Sequence, residues 1–233
     1  MTENTDQYSG QYAVMFDLDG TLVDTAQDLA YALNQTLEDF GQNQLPFEKI
    51  RPVVSHGGTA LIRLGFDLEP EHPDFEKYRQ HLLKIYQDNI CRESVLFEGM
   101  DTLLGYLENN DMTWGIVTNK PSWLTDPLMN QMGLDKRAAS IVSGDTCTHN
   151  KPHPEPILFA CSQAQVSPEK TFYIGDALRD IEAGNAAGCI TVSALFGYIQ
   201  EHDIPEQWPA DHSVNHPLEI IDLLKSFTPA LPA

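Results

Sequence analysis

The sequence predicts an α/β fold, in which a doubly wound parallel sheet forms a core domain that carries an inserted all-helical cap domain. Strand and helix patterns alternate through the second half of the chain, which is typical of a parallel sheet covered on both faces. A further buried-looking strand at residues 12–16 must join the same sheet, because a lone strand cannot bury itself. Between the two regions, the apolar residues follow helical spacing.

The predicted elements follow in a simple order. Helical spacing predicts cap helices over residues 25–40 and 75–90, and we expect no strand between Gly41 and Phe97. Beyond Phe97 we predict strands at residues 113–119, 140–143, 171–176 and 189–195, and helices at 100–107, 122–132, 154–165, 179–187 and 217–227. The core domain is therefore expected at residues 1–24 and 96–233 and the cap domain at 25–95, with residues 1–11 as a loose tail.

The charge balance restricts the partners that this chain can have. It contains 34 acidic and 14 basic residues, a formal net charge of -20. Such a surface repels nucleic acid and anionic membranes, so we expect neither as a partner. An anionic substrate would have to be attracted by local positive charge or by a metal ion.

The cysteines and the apolar runs indicate a cytoplasmic protein. The four cysteines form no C-x-x-C pair, which favours reduced thiols over a metal site or a disulfide framework. We see no leader pattern at the start, and no apolar run reaches the roughly 20 residues that cross a bilayer. We expect a monomer or a homodimer.

Polar side chains follow the predicted strands at the point where each one ends. In open parallel sheets, ligands bind outside the carboxyl ends of the strands. Four separate segments deliver polar groups to this edge: Asp17 and Asp19, Thr118 and Asn119, Lys151, and Asp176 and Asp180. An apolar core does not require this arrangement, so we interpret it as a binding site.

The residue types at this edge are typical of phosphoryl chemistry. Four carboxylates together need a cation, and oxygen ligands favour Mg²⁺. Lys151 adds positive charge, and Gly20 allows a sharp turn that brings backbone N–H groups near an anion. One carboxylate can attack phosphorus, while a second, two residues further on, transfers the proton.

These segments resemble the motifs of a known family. The stretches DLDGTLVDT, TN of VTNK, KP of NKPHPEP and GDALRD resemble the four motifs of the haloacid dehalogenase superfamily, in the same order. The helical insertion resembles that superfamily's cap, and the resemblance implies a Rossmann-like core. One position departs from the pattern: Ala177 stands where a small hydroxyl residue is common, which affects only local hydrogen bonding.

The resemblance implies a role for each motif residue. Asp17 would be the nucleophile and Asp19 the general acid/base. Mg²⁺ would bind the carboxylates of Asp17 and Asp176 and the backbone carbonyl of Asp19. The phosphoryl group would be held by Gly20, Thr118, Asn119 and Lys151. Asp180 would orient Lys151 or a metal-bound water.

Within the superfamily, the cap type and the first motif resemble the phosphoglycolate phosphatase group. The stretches WGIVTNKP, FGYIQEHDIPEQWPAD and VNHPLEI resemble a branch that includes phosphatases of N-acetylmuramic acid 6-phosphate, which act in peptidoglycan recycling. The implied activity is Mg²⁺-dependent hydrolysis of a small phosphorylated metabolite through an aspartyl phosphate. Either 2-phosphoglycolate or N-acetylmuramic acid 6-phosphate remains open as the substrate, because a shared fold does not select a leaving group.

The cap contributes further candidates. The glycine-rich loop VVSHGGT places His56 where a cap loop would lean over the substrate, and Arg51 is a nearby cation for a substrate carboxylate. Asp24 is expected to cap the first cap helix.

Three alternative functions use similar residues. A phosphosugar mutase would form the same aspartyl phosphate but release little inorganic phosphate. A non-enzymatic phospho-acceptor module has a similar acidic site, yet such modules are short and lack a helical insertion. A dehalogenase would attack carbon and would need no cation beside the carboxylates.

Overall fold

The computed structural model describes residues 11–227, so only Gln11 of the predicted loose tail lies within the described part. In chain order, the strands and α-helices are β1 (Ala13–Phe16), β2 (Val23–Asp24), α1 (Ala26–Asp39), α2 (Phe47–Ile50), α3 (Gly57–Phe66), α4 (Phe75–Asp88), β3 (Val95–Leu96), α5 (Met100–Asn109), β4 (Trp114–Val117), α6 (Ser122–Gln131), β5 (Ile141–Val142), α7 (Glu155–Gln163), β6 (Thr171–Gly175), α8 (Leu178–Ala187), β7 (Ile190–Ala194), β8 (His212–Val214) and α9 (Pro217–Phe227). Three short 3₁₀ helices complete the described elements.

The core is a parallel sheet of six strands in the order β5-β4-β1-β6-β7-β8, which confirms the predicted fold class. Strand β1 lies in the middle, with Phe16 paired to Ile116 on one side and to Ile174 on the other. Every residue of β1, β4 and β6 is buried, as expected for a sheet covered on both faces. Since all strands are parallel, their carboxyl ends meet at one edge.

The helical insertion forms its own packed layer between β2 and β3. Helix α1 buries the stripe Leu29, Leu33 and Leu37, and α4 buries Phe75, Leu82 and Tyr86. These stripes recur at intervals of four and seven residues, which places them on one face of each helix. Helices α1, α3 and α4 pack against one another.

Three strands, β2, β3 and β8, were not expected from the sequence. The prediction of no strand between Gly41 and Phe97 is wrong, because β3 pairs antiparallel with β2 through Val23–Leu96 and Asp24–Val95. This two-residue ribbon joins the chain where it enters and leaves the helical insertion. The edge strand β8 was also missed, since its three residues, His212–Val214, are too few to show a period.

Most other element boundaries agree with the predictions to within two residues. Asp24 accepts a hydrogen bond from the backbone N–H of Ala26 at 3.2 Å, close to its expected capping role. The capping position itself is occupied by Thr25. Among residues 11–227, no helix has the length and apolar character needed to cross a bilayer.

Candidate active site

Asp17 lies at the centre of the carboxyl edge of the sheet. Its backbone N–H donates to Ile174 O at 2.8 Å, which continues the sheet past the end of β1. The side chain is 3% exposed, and its Oδ1 accepts a hydrogen bond from the backbone N–H of Leu18 at 2.7 Å. The central strand therefore holds this carboxylate in one orientation.

Gly20 allows the first motif to pass close to the carboxylate of Asp176. Its φ of 90° is unfavourable for residues with a side chain. A Cβ atom at this position would overlap the Asp176 carboxylate and would lie 2.7 Å from Cδ2 of Tyr198. Glycine is therefore required here both by conformation and by space.

Asp176 follows β6 and is bound by groups from core and cap. Its Oδ2 accepts hydrogen bonds from the Tyr198 backbone N–H and from Ser55 Oγ, both at 2.9 Å. Ser55 belongs to the 3₁₀ helix Arg51–His56 of the insertion. One cap residue thus touches a predicted metal ligand directly.

Lys151 is the cation at the bottom of the site. Its fully buried Nζ lies 2.9 Å from Asp17 Oδ1 and 2.7 Å from Asp180 Oδ1, and it donates to Val117 O at 2.8 Å. The side-chain amide of Asn119 donates to Lys151 O and accepts from Lys151 N, each at 3.0 Å. The Asn119 side chain therefore positions Lys151. This role differs from the direct contact with the phosphoryl group that we expected for Asn119.

The turn around Lys151 is further held by exposed side chains. His149 Nδ1 lies 2.7 Å from Glu155 Oε2, and the His149 and His153 rings stack with their centroids 4.2 Å apart. The His153 Nδ1 accepts from the backbone N–H of Glu155 at 3.2 Å. The polar atoms of His149, His153 and Glu155 are thus engaged in contacts that stabilise the turn.

Asp19 pairs with a second buried lysine. Its Oδ1 accepts from Lys120 Nζ at 2.8 Å and from Thr25 Oγ1 at 2.6 Å. Lys120 Nζ also donates to Tyr86 Oη at 2.7 Å and lies 4.6 Å from the Tyr86 ring centroid. Since Tyr86 is on α4, Lys120 links the predicted general acid/base to the cap.

Burial is the largest influence on the pKa values of Asp17 and Asp176. It raises the pKa of Asp17, and Lys151 opposes this rise while Asp180 adds to it. Burial likewise raises the pKa of Asp176 to about 7, with repulsion from Asp17 and Asp180 contributing further. Burial thus disfavours the charged form of both carboxyls, and additional positive charge beside them favours the carboxylate.

The donor set fits a divalent cation. Oxygens of Asp17, Asp176 and Asp180 lie within 4.8 Å of one another and are all buried. Lys151 contacts both Asp17 and Asp180, so its single positive charge offsets only one of the two, whereas Asp176 forms no ion pair within the described part of the chain. The Asp176 carboxylate, which lacks a partner cation, is a hard oxygen ligand of the kind that Mg²⁺ and Ca²⁺ prefer.

A cavity of about 910 Å³ lies between the sheet edge and the cap. Asp17, Asp19, Thr118 and Asn119 line its floor, and His56 lines its cap side. Thr118 Oγ1 accepts from the Lys120 backbone N–H at 3.1 Å, which leaves the hydroxyl proton available to a ligand.

The two cap candidates occupy different positions. His56 Nε2 lies 2.8 Å from Gln200 Nε2, and burial followed by the charge of Arg179 lowers the His56 pKa. Arg51 lies over the Tyr198 ring at 5.0 Å and donates to Gly197 O at 3.4 Å. Arg51 is not among the residues that line the cavity.

The sequence indicated Ser55 only as part of the glycine-rich cap loop that would lean over the substrate, and it indicated no role for Lys120 or Arg179. Arg179 Nη2 donates to Ser55 O at 2.9 Å, and the Arg179 side chain lines the cavity. Lys120 follows Thr118 and Asn119 directly, so its place after a motif could have indicated a site residue. No local pattern indicates the contact of Ser55 with Asp176, because the two are 121 residues apart.

Comparisons with known proteins show the family to which the chain is similar. Residues 14–194 match the family of haloacid dehalogenase-like hydrolases. The chain is 40% identical to an N-acetylmuramic acid 6-phosphate phosphatase of Pseudomonas putida, over 92% of this chain and 96% of that protein. It is 38% identical to a phosphoglycolate phosphatase of Xanthomonas campestris, over 89% of this chain and 94% of that protein.

A solved structure supports the same assignment. The crystal structure of a predicted phosphoglycolate phosphatase from Haemophilus somnus superposes with a TM-score of 0.81 at 26% identity, covering 92% of this chain and 98% of that one. The chain belongs to the haloacid dehalogenase-like hydrolase family. Within that family it is a phosphatase.

Proposed function

We propose that the chain is a Mg²⁺-dependent phosphomonoester hydrolase that works through an aspartyl phosphate on Asp17. The observation that carries this proposal is the environment of Asp17. Its carboxylate lies at the floor of a cavity, 2.9 Å from the buried ammonium of Lys151, with Asp19 two residues further along the chain. The nucleophile Asp17, the fixed cation Lys151 and the proton donor Asp19 thus belong to one site.

In the first step, Asp17 attacks phosphorus and the bond to the leaving oxygen breaks. Asp19 donates the proton that the leaving oxygen needs, since an unprotonated alkoxide is a poor leaving group. The hydroxyl of Thr118 and the ammonium of Lys151 offset the charge on the phosphoryl oxygens. Asn119 and Asp180 keep Lys151 in place.

In the second step, Asp19 accepts a proton from a water that attacks the phosphoryl group on Asp17. This releases inorganic phosphate and returns Asp17 to a carboxylate. Lys120 holds Asp19 by its Oδ1, which leaves Oδ2 for the proton. The same carboxyl therefore acts first as an acid and then as a base.

Mg²⁺ would be held by the carboxylates of Asp17 and Asp176 with the backbone carbonyl of Asp19, and it would neutralise charge on the phosphoryl oxygens. Support comes from the buried oxygen cluster and from the pKa of Asp176, which burial raises to about 7. The ionic radius and oxygen preference of Mg²⁺ suit a site shared with phosphate.

The substrate is a small phosphorylated metabolite, with N-acetylmuramic acid 6-phosphate and 2-phosphoglycolate as the candidates. The curated relatives are named for these two esters. Both would place a phosphate at Asp17 and a leaving group under the cap.

Release of inorganic phosphate from a panel of esters tests this proposal. Wild-type protein with Mg²⁺ should release phosphate, and Asp17→Asn should reduce turnover by at least about 1,000-fold, because the amide cannot attack phosphorus. Asp222→Asn, a change of the same kind at an exposed position of α9, is the control and should leave turnover unchanged. Turnover by Asp17→Asn near the wild-type rate would contradict the nucleophile assignment.

A further inference from the structure

Helix α4 presents a polar face to the cavity. Its buried face is formed by Phe75, Leu82 and Tyr86. The residues of α4 that line the cavity are mostly polar: Glu76, Arg79, Gln80, Leu83, Lys84, Tyr86 and Gln87. This polar face therefore lines a half-open cavity whose floor contains Asp17.

Trp123 supplies an apolar surface on the other side of the same cavity. It lies in the first turn of α6, three residues after Lys120, and its side chain is 42% exposed. The neighbouring Leu124 is buried, so the chain uses the smaller residue for packing and leaves the indole at the cavity. An aromatic ring beside polar groups is a typical surface for a ligand with one apolar and one hydrophilic side.

The cations that line the cavity are already paired with acids. Arg79 contacts Glu76 at 2.7 Å, Lys84 contacts Asp88 at 2.5 Å and Lys120 contacts Asp19 at 2.8 Å. Arg179, the remaining lysine or arginine among the described lining residues, is next to the acidic cluster of Asp17, Asp176 and Asp180. A carboxylate directly attached to the phosphate-bearing carbon would therefore compete with an existing acid for each cation.

Neutral hydroxyl and amide groups fit the same wall better. Gln80 donates to Glu76 Oε1 at 3.1 Å, so this part of the wall presents both donors and acceptors. Sugar hydroxyls both donate and accept, and they need no net charge opposite them. The volume of about 910 Å³ is also at the upper end of the range for sites that enclose drug-sized molecules, far above the need of a two-carbon acid.

We propose that Trp123 and the polar face of α4, formed by Glu76, Arg79, Gln80 and Gln87, are the leaving-group subsite, which binds the pyranose ring of a sugar phosphate. The indole stacks on the C–H face of the ring, and the side chains of α4 bind its hydroxyl and amide groups. The inference rests on the proposed function, because it assumes that phosphate is bound at Asp17. It selects a sugar phosphate over 2-phosphoglycolate as the substrate.

The kcat/KM values of variants on two esters test this subsite. Trp123→Ala should lower kcat/KM for N-acetylmuramic acid 6-phosphate by about 10- to 100-fold, mainly through KM, and change that for 2-phosphoglycolate by less than about twofold. Trp123→Phe should recover most of the loss. Phe159→Ala, which removes an aromatic side chain of similar exposure (40%) on α7, is the matched control and should affect neither ester.

Gln80→Ala and Gln87→Ala provide an independent test that does not alter an aromatic residue. Each should lower kcat/KM for the sugar phosphate by roughly fivefold through the loss of a hydrogen bond, whereas the exposed Gln131→Ala of α6 should have no effect. Thermal unfolding should show that all variants fold.

The possible outcomes separate this inference from the proposed function. Equal losses on both esters, or a wild-type preference for 2-phosphoglycolate, would overturn the leaving-group subsite and leave the phosphatase assignment intact. Wild-type protein that releases phosphate from no ester, and carries no phosphoryl group on Asp17, would overturn the proposed function and this inference with it.

Discussion

At the scale of single residues, the geometry of the site depends on side chains that fix the positions of other side chains. Lys151 reaches Asp17 because Asn119 binds its backbone on both sides and Asp180 binds its ammonium. A buried ammonium that contacts two carboxylates is stable only when its position is fixed, since desolvation of each charge costs several kcal/mol. The positions of Asn119, Lys151 and Asp180 are therefore as closely defined as that of Asp17, the proposed nucleophile.

Gly20→Ala tests the close approach between the first motif and Asp176. The added methyl group would overlap the Asp176 carboxylate, whereas at Gly188, which has a similar φ of 79°, a Cβ meets no atom within 4 Å. Backbone strain alone costs about 1–2 kcal/mol at each site. We expect Gly188→Ala to lower the unfolding free energy by that amount with normal turnover, and Gly20→Ala to lower it further and reduce kcat by at least about 10-fold.

Denaturant unfolding and phosphate release measure both effects. If Gly20→Ala resembled Gly188→Ala in stability and in rate, the close approach would not be important for the site.

At the scale of elements, the 3₁₀ helix Arg51–His56 joins the cap to the core. Ser55 donates to Asp176, Arg179 donates to Ser55 O, and His56 lies beside Gln200. Lys120 makes a second link through Tyr86 of α4. Asp176, the proposed metal ligand, and Asp19, the proposed general acid/base, are thus each connected to the cap, and we infer that the cap position affects both.

Ser55→Ala tests the first of these links. Loss of one hydrogen bond, worth about 1 kcal/mol, should lower kcat/KM by roughly fivefold for every ester, since the contact is to Asp176 and not to the leaving group. Steady-state kinetics on two esters measures this, with the exposed Thr102→Ala of α5 as control. A loss confined to one ester would instead make Ser55 part of the leaving-group subsite.

The sequence predicted the elements that carry the motifs but not the contacts between them. Strand β1 and the acidic residues after it could be predicted because the apolar run and the acids are adjacent in the sequence. Lys120 and Arg179 were missed, and Ser55 was indicated only as part of the glycine-rich cap loop, because their contacts depend on a cap that returns over the sheet edge. Asn119 was found, yet its contact with Lys151 spans 32 residues and has no local pattern.

At the scale of the whole molecule, the buried acids should make metal-free protein sensitive to pH. The pKa of Asp176 is raised from 3.8 to about 7, so between these values the folded protein binds more protons than the unfolded chain. Stability should therefore fall as pH rises from about 4 to about 7, by up to about 1.4 kcal/mol per pH unit. Mg²⁺ should reverse this loss, because it stabilises the carboxylate.

Thermal unfolding with chelator and with Mg²⁺, over this pH range, tests the expectation. Asp176→Asn should flatten the pH dependence in chelator and reduce the stabilisation by Mg²⁺, while Asp222→Asn should behave as wild type. Equal pH profiles for wild type and Asp176→Asn would show that this carboxyl is not perturbed.

The central claim is that Asp17 carries the phosphoryl group during turnover. Rapid acid quench of the wild-type enzyme with substrate, followed by proteolysis and mass spectrometry, measures this directly. We expect the peptide containing Asp17 to gain the mass of one phosphoryl group, and the gain to be absent in Asp17→Asn and present in Asp222→Asn. A phosphoryl group on another residue, or turnover with no phosphorylated peptide at any time point, would contradict the account.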